Sequence, residues 1–261
     1  MRWGCCGDLD RLGAIDRAGY DFIESPVRVV CPDQPSEAAE PYRSAVRSSR
    51  LPAEAFNVFL PGTLPIIGPE VDDKALKVHV STIVDRVADL GAQIIVLGSG
   101  GARKIPEDWD PDAARQQFLA FCSVAAEIVA ASGITIVIEP LSRSACNYIH
   151  TVAEAQTLAA ETARPEISTL ADLYHMQMND DAISSLSALA GDLKHVHLPV
   201  PNLPGLIKHE RDFDHRSYLS TLKGAGYSGR ISVEDNGKRF GDFEKEAQPV
   251  LEHLKNIWES V

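Results

Sequence analysis

No run of apolar residues in this 261-residue chain approaches the roughly 20 needed to span a bilayer, so a helical membrane span is not expected. The opening "MRWGCCGDLD" lacks an apolar core and turns acidic at once, so no secretory signal is expected either. Basic residues never extend beyond pairs such as Arg103-Lys104 and Lys238-Arg239, and 25 basic against 37 acidic residues leave a net charge of −12. Such a surface repels a phosphate backbone, which disfavours nucleic acid as a partner. Cysteines at CxxC spacing are missing. The total of five is odd, and a bridge between the adjacent Cys5 and Cys6 would be strained, so reduced thiols and a cytoplasmic location are expected. There is no internal repeat, low-complexity linker or composition break, and residues 1–261 are expected to form one domain.

What is present is an alternation. Eight short apolar runs rich in Val, Ile, Leu, Phe and Tyr predict strands: "RWGCC", "YDFIES", "AFNVFLP", "AQIIVLGSG", "ITIVIEP", "ISTLADLYH", "LKHVHLP" and "GRISVED". Amphipathic stretches lie between them. "VDDKALKVHVSTIVDRVADLG" has near-3.6 spacing with acidic residues first and Gly last. "TVAEAQTLAAETARP" opens with Thr151 and Glu154 at capping-box spacing, and Pro249 is a candidate kink in the last helix. Strand–helix alternation implies a parallel sheet with right-handed crossovers, and eight units in this length match a (β/α)8 TIM barrel. The rival, a doubly wound open sheet, usually carries a Gly-rich turn after its first strand, and "CCGDLD" has a single glycine there. The longest irregular stretches, "PGTLPIIGPEVDD" and "PVPNLPGLIKHERDFD", both follow strands, where a barrel keeps its site-forming loops.

The last four strands share a property that the ends of the first four lack. Each ends at a metal-ligand type: Glu139 after "TIVI", Asp172 after "STLA", His197 after "KHV" and Glu234 after "ISV". In a barrel these ends are neighbours on one face. Each also has an ordinary explanation. Glu139 and Glu234 suit solvated loops, Asp172 suits a helix N-cap, and His197 suits a hydrogen-bonded core position. Taken together, four charged groups on apolar strands need a shared partner, and a divalent cation is one. Three oxygens and one imidazole suit Mn²⁺, Mg²⁺ or Co²⁺ better than a structural zinc site does.

His195 and His197 point the same way on a strand. The spacing places His197 at the top and His195 one layer deeper, as a packing or supporting histidine; the alternative is that both bind metal. His175, three residues after Asp172, falls near the same centre and is expected to contact substrate, with an ordinary loop histidine as the alternative. Asn57, Ser99, Arg103 and Asn147 end or follow strands and are further pocket candidates.

In order and at similar intervals, "IEPL", D-x-x-H, H-x-H and the final "SVE", with "GSGGAR" after the fourth strand, resemble the sugar phosphate isomerase/epimerase family. This is the xylose isomerase-like barrel group, also called AP endonuclease family 2, that includes endonuclease IV and the ketose 3-epimerases. The resemblance runs along essentially the whole chain. It implies one divalent ion (Mn, Mg, Co or Zn) held by Glu139, Asp172, His197 and Glu234, with Glu139 and Glu234 doubling as acid and base in an isomerase or epimerase of a small sugar, ketose or cyclitol. It also implies that His175 meets substrate oxygens and that a homodimer or homotetramer is the common assembly. One position departs from the pattern. The loop after the seventh strand carries Leu203 where the ketose 3-epimerases have arginine, with Arg103 or Arg211 as possible stand-ins.

Three other functions fit less well. A lyase acting on a 3-oxo sugar or glycoside would use the same base and metal. An endonuclease IV-like phosphodiesterase would need further histidines that "NVFLP" and "VLGSG" do not supply, although Asp214-His215 imitates part of such a set. A non-catalytic binding protein would have no need of an intact ligand set.

Overall fold

A computed structural model describes residues 1–204, 211–235 and 239–261. Eight parallel strands close into a barrel in chain order, with the last pairing back onto the first. They are β1 (Arg2–Cys6), β2 (Phe22–Pro26), β3 (Ala53–Asn57), β4 (Ile94–Leu97), β5 (Thr135–Ile138), β6 (Ile167–Asp172), β7 (Leu193–Pro199) and β8 (Arg230–Glu234). The helices are α1 (Leu12–Ala18), α2 (Glu40–Ser48), α3 (Asp73–Val87), α4 (Pro111–Val129), α5 (Val152–Glu161), α6 (Leu173–Met178), α7 (Leu186–Leu189), α8 (His215–Gly224) and α9 (Phe243–Ser260). This is the (β/α)8 TIM barrel expected, in a single domain.

Local chemistry explains where the helices start. Asp72 accepts the Lys74 and Ala75 amides at the head of α3, and Asp110 accepts the Asp112 amide with Pro111 at the first helical position of α4. The capping box at Thr151 and Glu154 forms as its spacing predicts. α9 continues through Pro249. "ISTLADLYH" does not stay extended throughout: β6 stops at Asp172, and the next residues form the first turn of α6. Among the described residues, no helix is long and apolar enough to cross a membrane.

Period-two alternation divides the core. Outward-facing strand residues pack under the helices. Phe22, Ala55, Ile94, Val96, Val137 and Leu170 form a separate buried cluster on the inner face of the strands. Gly4 makes room for it, since a β-carbon there would lie 2.2 Å from the Phe22 ring. Two residues beyond this layer along each strand, the same face presents Glu24, Asn57, Gly98, Glu139, Asp172 and His197. An apolar plug therefore underlies a polar floor at the C-terminal end of the barrel.

Candidate functional site

Register brings the expected residues together. Asp172 pairs opposite His197 across β6 and β7, and Pro199 pairs opposite Glu234 across β7 and β8. Glu139 follows directly on β5. One donor atom from each of Glu139, Asp172, His197 and Glu234 lies within 4.8 Å of all the others. His197 Nδ1 is 3.0 Å from Glu139 Oε1 and 3.3 Å from Glu234 Oε2. Asp172 Oδ1 accepts the Tyr174 amide at 2.6 Å as the N-cap of α6, while its buried Oδ2 accepts no hydrogen bond. The N-cap and ligand explanations of Asp172 are thus compatible, one oxygen serving each.

These donors fit a divalent cation. Three carboxylates around one imidazole nitrogen, with a buried carboxylate oxygen left unpaired, form a site short of positive charge.

The electrostatics agree. Burial, together with the charges of Glu234 and Glu139, pushes the Asp172 carboxyl up to about 7 despite the opposing pull of His175 and His197. Burial also opposes charge on His197, but Glu24 and Glu234 outweigh it and raise the imidazole well above the ordinary histidine value. Burial likewise disfavours the Glu139 carboxylate, and the hydrogen bond and charge of His197, then His175 and Arg103, hold it below the usual range. A cation at this point competes with the Nδ1 proton of His197.

The first half of the barrel also contributes, from within a strand rather than from its end. Glu24 on β2 is fully buried beneath the site. Its Oε1 lies 2.9 Å from His197 Nε2 and its Oε2 lies 2.7 Å from His195 Nε2. Burial works against its charge, but His197 and His195 overcome that and hold the carboxyl well below the ordinary range. The signal was present in "DFIES", where a lone carboxylate interrupts an apolar strand. Cys6, Glu24 and His197 also group within 4.8 Å, although Glu24 and His197 are already bonded to each other there. His195 lies one layer down, fully buried, with Ser232 Oγ 3.2 Å from its Nε2.

His175 sits on the first turn of α6. Its Nδ1 accepts the Ser142 amide at 3.0 Å, which leaves the proton on Nε2, 3.9 Å from Asp172 Oδ2. The other candidates make contacts within the chain. Arg103 has no exposed surface, and its guanidinium donates to the carbonyls of Leu97 at 3.2 Å and Glu139 at 2.5 Å. It braces the chain that carries Glu139. Asn147 pairs through its amide with both main-chain groups of Ile105, tying two loops together. Ser99, at φ 36°, accepts the Leu60 amide on its hydroxyl. Asn57 is buried, with its amide 3.6 Å from Cys6 Sγ. Leu203 is buried, Arg211 is exposed, and part of the loop between them lies outside the described residues, as does Lys238.

Comparison with known proteins follows the same lines. The chain is 25% identical over 268 residues to L-ribulose 3-epimerase of Methylomonas sp. (strain DH-1), covering 99% of this chain and 87% of that one. It is 22% identical over 253 residues to 3-dehydro-D-guloside 4-epimerase of Escherichia coli (strain K12), covering 90% and 91%. A crystal structure of D-psicose 3-epimerase in the presence of D-fructose shares the fold at a TM-score of 0.83 and 15% identity over 99% of both chains. The model of the xylose isomerase-like TIM barrel family matches residues 12–257, from α1 into α9. The chain belongs to the xylose isomerase-like TIM barrel family.

Proposed function

We propose that this protein is a divalent-metal-dependent epimerase or isomerase of a small carbohydrate, inverting or shifting a centre beside a carbonyl. The observation that carries this reading is the placement of Glu139 and Glu234 both against His197 Nδ1, with an Asp172 oxygen in the same group of donors. The relatives' names support it. A 4-epimerase of a 3-dehydro sugar and a 3-epimerase of a ribulose both invert the carbon next to a carbonyl.

A divalent ion held by Glu139, Asp172, His197 and Glu234 would supply Lewis acidity to the carbonyl oxygen and so would acidify the neighbouring C–H. The residues of the chain do the rest. Glu139, held ionised, is suited to take a proton from one face, and Glu234, from β8, to return one on the other. His175 carries its Nε2 3.9 Å from Asp172 Oδ2, beside the same donors, and is suited to hold a substrate oxygen. The buried floor under these groups keeps the dielectric low, which strengthens each interaction. The oxygen-rich donor set favours Mn²⁺, Mg²⁺ or Co²⁺, with Zn²⁺ also within its reach.

The substrate class extends to oxidised glycosides, since one relative is named for a 3-dehydro-guloside. A lyase acting on such a compound would use the same glutamates and release an aglycone.

The test is solvent exchange. Mn²⁺-loaded protein incubated in D2O with ketoses and with 3-oxo-glycosides is expected to place deuterium at the carbon beside the carbonyl. Glu139→Gln and Glu234→Gln should each lower that exchange by at least ~100-fold. Exchange at the wild-type rate in both variants would refute the reading.

A further inference from the structure

We propose that Glu24 is a positioning residue for the metal centre: it fixes His197 in the tautomer whose Nδ1, and not Nε2, is offered to the cation. This inference rests on the metal-centre reading above, but it concerns a residue that donates nothing to that centre.

The geometry argues it from both ends of the imidazole. A histidine in the middle of a barrel strand offers two ring nitrogens, and either can bind a metal. Nδ1 of His197 faces Glu139 and Glu234 at 3.0 and 3.3 Å. Nε2 faces the other way, 2.9 Å from Glu24 Oε1. Carboxylate oxygens thus stand against both nitrogens, but those at Nδ1 belong to the donor set while Glu24 lies outside it, with both its oxygens on imidazole nitrogens. A cation among Glu139, Asp172 and Glu234 would take the place of a proton on Nδ1, whereas Nε2 keeps the N–H that Glu24 accepts. A carboxylate behind a ligating imidazole also raises its basicity.

Glu24 is itself held in place. Its second oxygen is 2.7 Å from His195 Nε2, so both oxygens are spoken for and the carboxylate cannot rotate away. His195 stands 37 residues in sequence from Ser232, whose hydroxyl is 3.2 Å from the same Nε2. Its own Nδ1 is buried without a hydrogen-bond partner, as befits a neutral ring that donates through Nε2. This gives His195 a purpose: it braces the carboxylate that aims His197.

The arrangement also explains why a charge is buried at all. Glu24 has no exposed surface, and an unpaired carboxylate there would be costly. Two N–H donors offset that cost, and a hydrophobic residue of similar size would pack more cheaply while leaving the tautomer of His197 undefined.

The experiment measures metal rather than turnover. Mn²⁺ affinity is read by electron paramagnetic resonance on wild type, Glu24→Gln and Glu24→Asp, with melting curves in chelator as the folding control. Glu24→Gln keeps the shape, but its amide can accept from only one of the two imidazoles and must donate toward the other. Its Mn²⁺ affinity is expected to fall by roughly 10- to 100-fold, with Glu24→Asp retaining part of the affinity. Wild-type affinity in Glu24→Gln would overturn the proposal and leave the metal centre standing. A wild type that binds no Mn²⁺, Co²⁺ or Zn²⁺ would overturn the metal centre and this proposal with it. Should the variants fail to fold, long-range ¹H–¹⁵N spectra of the Zn²⁺-loaded wild type decide the matter. Ligation of His197 through Nδ1 with a protonated Nε2 is expected, and ligation through Nε2 would overturn the proposal.

Discussion

Gly98, just past the end of β4, lies directly against the Glu139 carboxylate on the neighbouring strand: a β-carbon on Gly98 would sit 2.2 Å from Glu139 Oε2. The space that Glu139 occupies exists because its neighbour has no side chain. Gly98→Ala is therefore expected to push the carboxylate aside and lower kcat/KM by about 100-fold, as displacements near 1 Å do in active sites. Gly191→Ala is the control, since nothing lies within 4 Å of the added atom. Equal activity in the two variants would show that the Glu139 carboxylate needs no such room.

Asp172 links pH to stability. In the metal-free protein its carboxyl is pushed from 3.8 up to about 7. Between those values the folded state holds more protons than the unfolded state, so stability falls as pH rises through the window. Asp172→Asn keeps the oxygen that caps α6 and removes the charge. In chelator, its melting temperature should decline less between pH 5 and pH 7.5 than that of wild type, and Mn²⁺ should no longer raise it. Identical slopes in the two proteins would refute this assignment.

Arg103 should matter for stability first and activity second. It has no exposed surface and satisfies the carbonyls of Leu97 and Glu139. Arg103→Met strands both acceptors and is expected to cost roughly 2–4 kcal/mol in urea unfolding. A loss below about 0.5 kcal/mol, the range of an ordinary surface change, would contradict the bracing role.

His175 should separate substrate from metal. Its Nδ1 is anchored by the Ser142 amide and its Nε2 lies 3.9 Å from Asp172 Oδ2. His175→Ala is expected to lower kcat/KM by roughly 3- to 30-fold, the worth of one hydrogen bond to substrate, while Mn²⁺ affinity stays near wild type. A large fall in Mn²⁺ affinity would assign it to the metal instead.

The fold was legible because a parallel barrel writes itself twice along the chain, in apolar runs and in the amphipathic stretches between them. β1 and β7 carry the bounds that their residues predict, and the capping box at Thr151 forms as spelled. The four-residue set of Glu139, Asp172, His197 and Glu234 was legible because each charge closes an apolar strand at the end where barrels keep their chemistry. Glu24 was harder to see. It stands inside β2 with Ser25 and Pro26 still to come, and its meaning depends on a histidine 173 residues away. The bracing contacts of Arg103 were hard to see for a related reason. A loop arginine ordinarily faces solvent, and only the tertiary path of the segment after β4 turns this one inward. Contacts that a strand's own pattern sets can be read from sequence; those made across the barrel interior require closure of the sheet.

That closure has a consequence for how the molecule can be divided. Strands β5 to β8, with the residue directly after β5, supply Glu139, Asp172, His197 and Glu234 and, judged by that set alone, would make a self-sufficient half-barrel. The carboxylate behind the imidazole belongs to the other half, on β2. Two copies of the C-terminal half joined into one pseudo-symmetric barrel would double the ligands and leave each histidine with nothing behind it. The halves are thus complementary rather than redundant. Separately expressed fragments should gain their full affinity for metal only on reassembly, whereas a circular permutant that preserves the β8–β1 pairing should keep it in a single chain.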